Sequence, residues 1–473
     1  MTEDNFSQDQ MSALRALESG MNVFLTGKAG TGKTKVVNEF IDRSIKKHKN
    51  IIVCAPTGAA AQRITATKAC TIHRAFGLSK SSIVTLPTKA RKEIAAADVI
   101  VIDEISMCRI DLFEHVVKSV ELADKFNADR ELRLARKERR NPTFKKIQLV
   151  VIGDFLQLEP VLTNADKGIF KKYYKNKLFA FESRYWDESN FINVELTTIH
   201  RQKEDKEYAE ALNNARDGTD PIGCADWFNY NTADKAFDGP DTVILCGKNK
   251  TAAEKNMQRL NAIKGDEYES IAKLTGDADI ASTNAEYDLK YKIGAKVMML
   301  TNGPGYFNGS SGMIVDHYGS GDNETVVVMM DDGHEASIKK YKWDVVKPVL
   351  KIRKVKYEEL NPETGEKVEK EREEEYIETE SVGCVAQFPF KLGWAITIHK
   401  SQGMTFKCPV ILYPEFFANG QMYVALSRVD SGRNIYINGL LDYRDARVSP
   451  KVLMFYDNLS TVLNGDSDDG YTN

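Results

Sequence analysis

Short apolar runs separated by amphipathic stretches fill the first half of the chain. NVFLT (22–26), IIVCA (51–55), VIVID (99–103) and IQLVVIG (147–153) are apolar at consecutive rather than alternate positions. That pattern predicts strands buried on both faces, and the helical periodicity between them predicts a parallel sheet wrapped by helices. A second set follows: TVILC (242–246), AKVMML (295–300), PVILY (409–413) and NIYING (434–439), interleaved with helical stretches at 250–263, 391–401 and 419–428. Two α/β units are expected. The stretch 309–385 breaks the pattern. GMIVDHY and ETVVVMMDD are separated by GSGDN, and KIRKVKYEEL and KVEKEREEEYIETE flank NPETGE. Both are hairpin patterns, so an all-β insertion is expected in the second unit, with the alternating charges of 351–380 on a solvated hairpin.

Composition narrows the class. The chain has 473 residues, 42% hydrophobic and 28% charged, an ordinary globular balance that excludes collagen-like and disordered classes. No apolar run approaches the length of a membrane span, so no membrane partner is expected. The polar opening MTEDNFSQDQ lacks the apolar core of a signal peptide. Seven cysteines without a CxxC pair argue against a disulfide framework or a zinc ribbon and fit a reducing, cytoplasmic compartment. The net charge is −3, so a nucleic-acid binder of this composition must concentrate its basic residues locally. Residues 128–146 do so, with eight basic and three acidic side chains. They read either as a solvated helix face or as a basic element bordering a nucleic-acid groove.

The clearest chemistry is a phosphate site. Gly27, Lys28, Ala29, Gly30, Thr31, Gly32, Lys33 and Thr34 fit GxxxxGK[ST] directly after the strand NVFLT and ahead of the helical pattern VVNEFIDRSI. Glycines let the backbone curl so that successive N–H groups and a helix N-terminus face phosphates. Lys33 would reach the β- and γ-phosphates of ATP, and the Thr34 hydroxyl would bind Mg2+. Asp103 ends the strand VIVID, where a carboxylate can hold Mg2+ through water; Glu104 beside it can orient and deprotonate the attacking water. Gln157, in the loop after IQLVVIG, can touch the γ-phosphate and that water through its amide. Gln10 has two readings. Ser7-Gln8-Asp9-Gln10 is an S-x-x-Q capping box before the helical run MSALRAL, and the Gln10 amide can also read an adenine edge.

GKAGTGKT, APTGAAA (55–61), TIHRAFG (71–77), DEISM (103–107), GDFLQLEPV (153–161), LTTIHRQ (196–202), FPFKLGWAITIHKSQGMTF (388–406) and GQMYVALSRV (420–429) occur in that order. Together they resemble the superfamily-one DNA helicases of the Pif-one and RecD branch, and most of all the Pif-one-like helicases. The motifs cover the chain from about residue 7 to 430. The resemblance implies an α/β fold of two RecA-like P-loop domains with parallel sheets, a small all-β insertion in the second and a short wedge-like insertion in the first. On this reading the first motor domain takes 1–77 and 98–185, and the wedge takes 78–97. The second motor domain takes 186–308 and 386–462, the β-barrel-like insertion 309–385 and a disordered tail 463–473. The resemblance also implies ATP between the domains, Gln10 on the adenine, and Arg201 and Arg428 approaching the γ-phosphate. The segment between DEISM and GDFLQL is similar to the family's signature segment in position and basic content, but it is longer.

The same resemblance implies ATP-driven 5′→3′ translocation on single-stranded DNA and unwinding of tailed or forked duplexes. A monomer is expected in the ATPase cycle, with replication or repair proteins as partners. DNA would be held without sequence readout by Thr57, His73, Phe76, Asn308, Thr397, His399 and Lys400. Hydroxyl, amide and imidazole groups suit phosphates, and Phe76 suits either a base or the core. The same motifs would serve a DNA-stimulated translocase that remodels nucleoprotein complexes without unwinding. A nonenzymatic recombination subunit is the reading from another class, and the intact set of Lys33, Asp103, Glu104, Gln157, Arg201 and Arg428 opposes it.

Overall fold

The computed structural model describes residues 6–57, 60, 64, 69–78, 84, 86–87, 89–162, 164–200, 205–232, 239, 242–360 and 367–459. The chain opens with the helix Gln8–Glu18, whose capping box is formed. Six strands then build one sheet: β1 (Val23–Gly27), β2 (Ile51–Ala55), β3 (Cys70–Thr71), β4 (Val99–Ile102), β5 (Gln148–Ile152) and β6 (Ile192–Leu196). Their order is β3-β2-β4-β5-β1-β6, and every pairing is parallel. β1, β4 and β5 are buried along their whole length, as uninterrupted apolar runs require when helices cover both faces.

β7 (Val243–Cys246) starts a second sheet, and after the helix Asn249–Ala262 the chain enters a β-rich stretch. Its strands are β8 (Tyr268–Ile271), β9 (Lys273–Gly276), β10 (Asp288–Tyr291), β11 (Lys296–Met299), β12 (Ser311–Tyr318), β13 (Thr325–Met330), β14 (Glu335–Lys339), β15 (Tyr341–Leu360), β16 (Lys367–Gln387) and β17 (Phe390–Leu392). The chain then returns to the second sheet as β18 (Ala395–Thr397), β19 (Val410–Tyr413) and β20 (Ile435–Ile437), giving the parallel order β18-β7-β19-β20. Two compact units result. One spans 1–78, 82–262 and 392–473 and contains both parallel sheets; the other comprises 79–81 and 263–391. In the β-rich unit, β15 and β16 form the long charged hairpin that the sequence predicts, paired from Tyr341↔Gln387 to Leu360↔Lys367.

The β-rich unit is wider than the expected 309–385. AKVMML was expected in the second parallel sheet, yet β11 pairs antiparallel with β12, Val297 opposite Gly312. A short apolar run is buried on both faces in either setting, so its composition does not say which sheet receives it. The stretch 391–401 was expected to be helical; its middle is β18, followed by one turn of helix, Ile398–Ser401. The first sheet extends to Leu196, past the expected boundary at 185. The C-terminal helix Pro450–Asp457, assigned by sequence to the second motor domain, packs on the first sheet's core. Phe455 stacks on Phe181 with centroids 4.4 Å apart and lies 5.4 Å from Phe155. Residues 79–83, 85 and 88 of the expected wedge 78–97 and all of the tail 463–473 lie outside the described residues.

Candidate active site

The candidate nucleotide residues of the first sheet all follow the carboxyl ends of strands, which in a parallel sheet share one rim. The loop 28–32 leaves β1 and runs into the helix Lys33–Lys46, capped by Gly32 at φ +85°. A side chain on Gly32 would also meet Gln10 Nε2 at 2.5 Å, so both conformation and contact require glycine there. Lys33 Nζ donates to the carbonyls of Gly27 (2.6 Å) and Lys28 (3.0 Å). Burial pushes its ammonium down to about 8, against the opposing pull of Asp154, Glu104 and Asp103. The Ala29 N–H donates to the hydroxyl of Tyr423 at 2.8 Å.

Asp103 and Glu104 follow β4 and are each 6% exposed. The Glu104 N–H donates to Asp103 Oδ1 (2.9 Å), and Glu104 takes a left-handed conformation, φ 51°, that costs a non-glycine residue about 1–2 kcal/mol. Its carboxylate is held from the second sheet's side of the site: Gln402 Nε2 donates to Glu104 Oε2 (3.2 Å) and to Ser106 Oγ (3.3 Å). After β5, Asp154 is completely buried and forked by Arg216, Nε to Oδ2 at 2.9 Å and Nη2 to Oδ1 at 3.0 Å. Burial alone would raise the Asp154 pKa; the Arg216 guanidinium holds it below the ordinary carboxylate range. The Asp154 carbonyl accepts the Gln157 N–H at 3.0 Å, which fixes the loop carrying Gln157. Gly420, at φ +68°, lies flat against that loop, where a Cβ would meet the Gln157 carbonyl oxygen at 2.4 Å.

Arg428 is 2% exposed. Its guanidinium donates to the carbonyls of Val424 (2.6 Å), Ser401 (3.2 Å) and Met404 (3.1 Å) and to Ser427 Oγ (2.7 Å). A cavity of about 530 Å³ unites these groups. From the first sheet it is lined by Ala29, Gly30, Gly32, Lys33, Thr34, Asp103, Glu104, Gly153, Gln157 and His200, and from segments of the second sheet by Gly403, Thr405 and Arg428. Gly27 and Thr31 shape the loop behind it, and the Thr31 carbonyl accepts Gln10 Nε2 at 2.9 Å. Gln10 is fully buried, and its Oε1 accepts the Ser7 N–H at 3.3 Å, so one end of the amide caps the first helix while the other binds the phosphate loop. Beside it, Asp9 Oδ2 accepts the N–H groups of Thr197 and Thr198, each at 2.9 Å, tying the first helix to the segment after β6. Arg201 lies outside the described residues.

The candidate DNA residues fall into three groups. Thr57 and His73 follow the carboxyl ends of β2 and β3, while Thr397 ends β18 with His399 and Lys400 directly after it. Lys400 is exposed; His399 stacks on Phe417 (5.7 Å, 18°), and burial lowers its pKa. Asn308 belongs to the β-rich unit, where its N–H donates to Asn302 Oδ1 at 2.9 Å. Phe76 is a correction: it is 2% exposed, meets His115 edge-on at 6.4 Å and joins the first sheet's core, so its ring is not presented to a base. Sequence reasoning also missed partners. Gln402 sits inside a quoted motif, and Arg216 occupies the buried stripe of its helix with Tyr208, Leu212 and Ala215, a position where an arginine signals a buried acid. Tyr423 lies inside the motif GQMYVALSRV, which does not name its partner, and Tyr456 gave no signal beyond apolar periodicity; Tyr456 pairs its hydroxyl with Thr26 Oγ1 at 2.8 Å.

A phosphate loop and a carboxylate pair on one parallel sheet, facing an arginine carried by a second, define a motor ATPase of the P-loop class. Comparison with known proteins narrows this. A family model described as an AAA domain matches residues 10–163. The ATP-dependent DNA helicase Pif1 of Psychrobacter sp. is 30% identical, over 92% of this chain and 68% of that protein. The protein of the same name from Campylobacter jejuni is 28% identical over 88% of each. A Pif1 helicase from Bacteroides, solved in complex with ADP-AlF3 and ssDNA, superposes with a TM-score of 0.74 at 27% identity, over 95% of this chain and 96% of that one. The chain belongs to the Pif1 family of ATP-dependent DNA helicases. Among the described residues, no helix is long and apolar enough to cross a membrane.

Proposed function

We propose that this helicase translocates 5′→3′ on single-stranded DNA and unwinds tailed or forked duplexes. The observation that carries its ATP-driven part is the cavity in which Lys33, Thr34, Asp103, Glu104 and Gln157 meet Arg428, while the 5′→3′ polarity rests on the family resemblance. Its size suits a nucleoside triphosphate. The Thr34 hydroxyl and Asp103 carboxylate are hard oxygen donors on its wall, the one-or-two-ligand set that Mg2+ uses when phosphates and water complete its shell. Bound there, Mg2+ would neutralise charge on the phosphate oxygens.

The protein's own groups do the rest. Lys33 exchanges its two carbonyl partners for phosphate oxygens. Glu104, oriented by Gln402, accepts a proton from the attacking water. Gln157 senses the γ-phosphate, and Arg428 brings positive charge from the second sheet to the transition state. Arg201 and the adenine role of Gln10 stay with the family resemblance. Opening and closing of the cleft would let Thr57 and His73 on one sheet, and Thr397, His399 and Lys400 on the other, grip a strand alternately. The test is strand displacement on matched 5′-tailed and 3′-tailed duplexes, with Glu104→Gln as the hydrolysis-dead control. Unwinding of the 5′-tailed substrate alone is expected; preference for the 3′ tail would overturn the polarity. ATP turnover without displacement of either would leave a remodelling translocase.

A further inference from the structure

The basic stretch 128–146 is not used by the site above, and it forms a groove of its own. The helix Ile110–Glu138 is 29 residues long, and past Ala123 its only buried residue is Ala135. Within that exposed half, Phe126, Arg130, Arg133 and Lys137 follow at spacings of four, three and four, which puts them on one face. The stripe is about 16 Å long. Residues 139–147 then double back against the helix. The Thr143 N–H donates to Glu131 Oε1 (2.9 Å), the Ile147 N–H to Asp124 Oδ1 (3.0 Å), and Arg140 pairs with Glu131 and Glu138. Between helix and return lies a cavity of about 720 Å³, lined by Phe126, Phe144, Arg130, Lys92, Lys145 and His48 among others.

Two features of this groove point to a strand of nucleic acid. Phe126 and Phe144 are 44% and 58% exposed, unusual for phenylalanine and available as stacking faces. The two acids that also line it are engaged internally, Asp98 with Lys145 and the Asn50 N–H, Glu131 with Arg140 and the Thr143 N–H. Lys92 and Arg130 therefore set the charge of the groove, and Arg133 and Lys137 continue it along the helix. Its position separates it from the motor site. Asn50, Asp98 and Ile147 immediately precede β2, β4 and β5, so the groove lies at the amino-terminal rim of the sheet. The P-loop, Asp103 and Thr57 lie at the carboxyl rim. Strands of four or five residues put about 13–17 Å between the rims.

We propose that this groove is a second single-stranded-DNA site, in which bases stack on Phe126 and Phe144 while Lys92, Arg130, Arg133 and Lys137 hold the phosphates. The choice of DNA rests on the helicase reading; the position of the site does not. Titration of the whole protein with a short oligothymidylate is expected to show two bound per chain. Two variants, Arg130→Glu/Arg133→Glu/Lys137→Glu and Phe126→Ala/Phe144→Ala, should each bind one at the concentration that just fills both sites of the unaltered chain, the groove being the weaker site and filling only at higher concentration. Loss of three phosphate contacts should lower the log–log salt slope of the weaker site by about 2. The aromatic variant should weaken that site about tenfold or more. ATP turnover stimulated by the same oligonucleotide should be unchanged in both, because the carboxyl-rim residues are intact. One oligonucleotide per unaltered chain, or two per chain in both variants, would overturn the proposal. Failure of any DNA to stimulate turnover in the unaltered protein would strike the helicase reading instead. Retained stimulation with selective binding of an acidic peptide at the groove would assign it to a protein partner and refute the DNA site.

Discussion

Lys33 offers a test that reads the phosphate site without measuring catalysis. Its ammonium, ordinarily at 10.5, is held near 8 by burial, a difference of about 3 kcal/mol against the charged form. At that value about a tenth of the molecules carry a neutral Lys33 at pH 7, about half at pH 8 and about nine-tenths at pH 9. Phosphate oxygens beside Nζ favour the charged form, so the pKa rises in the complex and binding takes up a proton. Affinity is then fully present below pH 8 and falls as pH rises, by about tenfold per pH unit until the pKa of the complex is reached. Calorimetric titration of ATP in two buffers of different ionisation enthalpy should show uptake of about half a proton at pH 8 and nearly one at pH 9. Lys33→Arg, whose guanidinium stays charged throughout, should bind more weakly but with no pH dependence over this range. A dissociation constant flat from pH 7 to 9.5 in the unaltered protein, or the same slope in Lys33→Arg, would refute the reasoning.

Three further perturbations bear on the groups around it. Gln402→Ala should reduce kcat about tenfold with KM for ATP little changed, because it removes one charge-assisted hydrogen bond from Glu104 and no contact with the nucleotide; steady-state kinetics decide it. Arg216→Ala strands a buried carboxylate and should cost about 3–5 kcal/mol, whereas Arg216→Ala/Asp154→Asn should recover part of it, read as denaturation midpoints in a double-mutant cycle. Phe76→Ala should lower stability by about 3–5 kcal/mol while the affinity of the folded protein for single-stranded DNA is unchanged, measured by anisotropy below the unfolding transition; a selective loss of DNA affinity would restore Phe76 to the DNA track.

The parts of the site visible in sequence are those whose chemistry is local. The P-loop announces itself because the glycines, the lysine and the threonine act within one turn between a strand and a helix. Asp103 and Glu104 are visible because a carboxylate at the end of an apolar run is conspicuous. Gln402, Arg216 and Tyr423 act across more than 60 residues of chain, and nothing near them in sequence names the partner. The strand at 296–299 shows the same limit in the fold, since double-sided burial is all that its composition specifies. Phe455 and Tyr456 are a third case: a helix with an apolar face needs a core, and the sequence does not say that the core is the first sheet's rather than the second's.

Those long-range contacts share a direction. Gln402, Gly420, Tyr423 and Arg428 belong to segments around the second sheet, and what they meet is the machinery of the first: the Glu104 carboxylate, the Gln157 loop, the Ala29 N–H and the cavity wall. They differ in how readily they break. The Arg216–Asp154 fork is buried, bidentate and charged at both ends, so parting it would expose two uncompensated ions to a dry interior. Gln402 reaches Glu104 through one charge-assisted bond of 3.2 Å, worth about 1.5 kcal/mol net, and Ala29 meets Tyr423 through one neutral bond, worth about 1 kcal/mol. A motion of the second sheet's segments therefore pivots most cheaply about Arg216 and Asp154 while exchanging the partners of Glu104 and the P-loop. On the proposed roles, the group that would deprotonate water and the loop that would hold phosphate are then set by the same displacement that moves Thr397, His399 and Lys400. If the proposed roles hold, two weak hydrogen bonds and one strong ion pair are the contacts through which chemistry and stepping would be coupled.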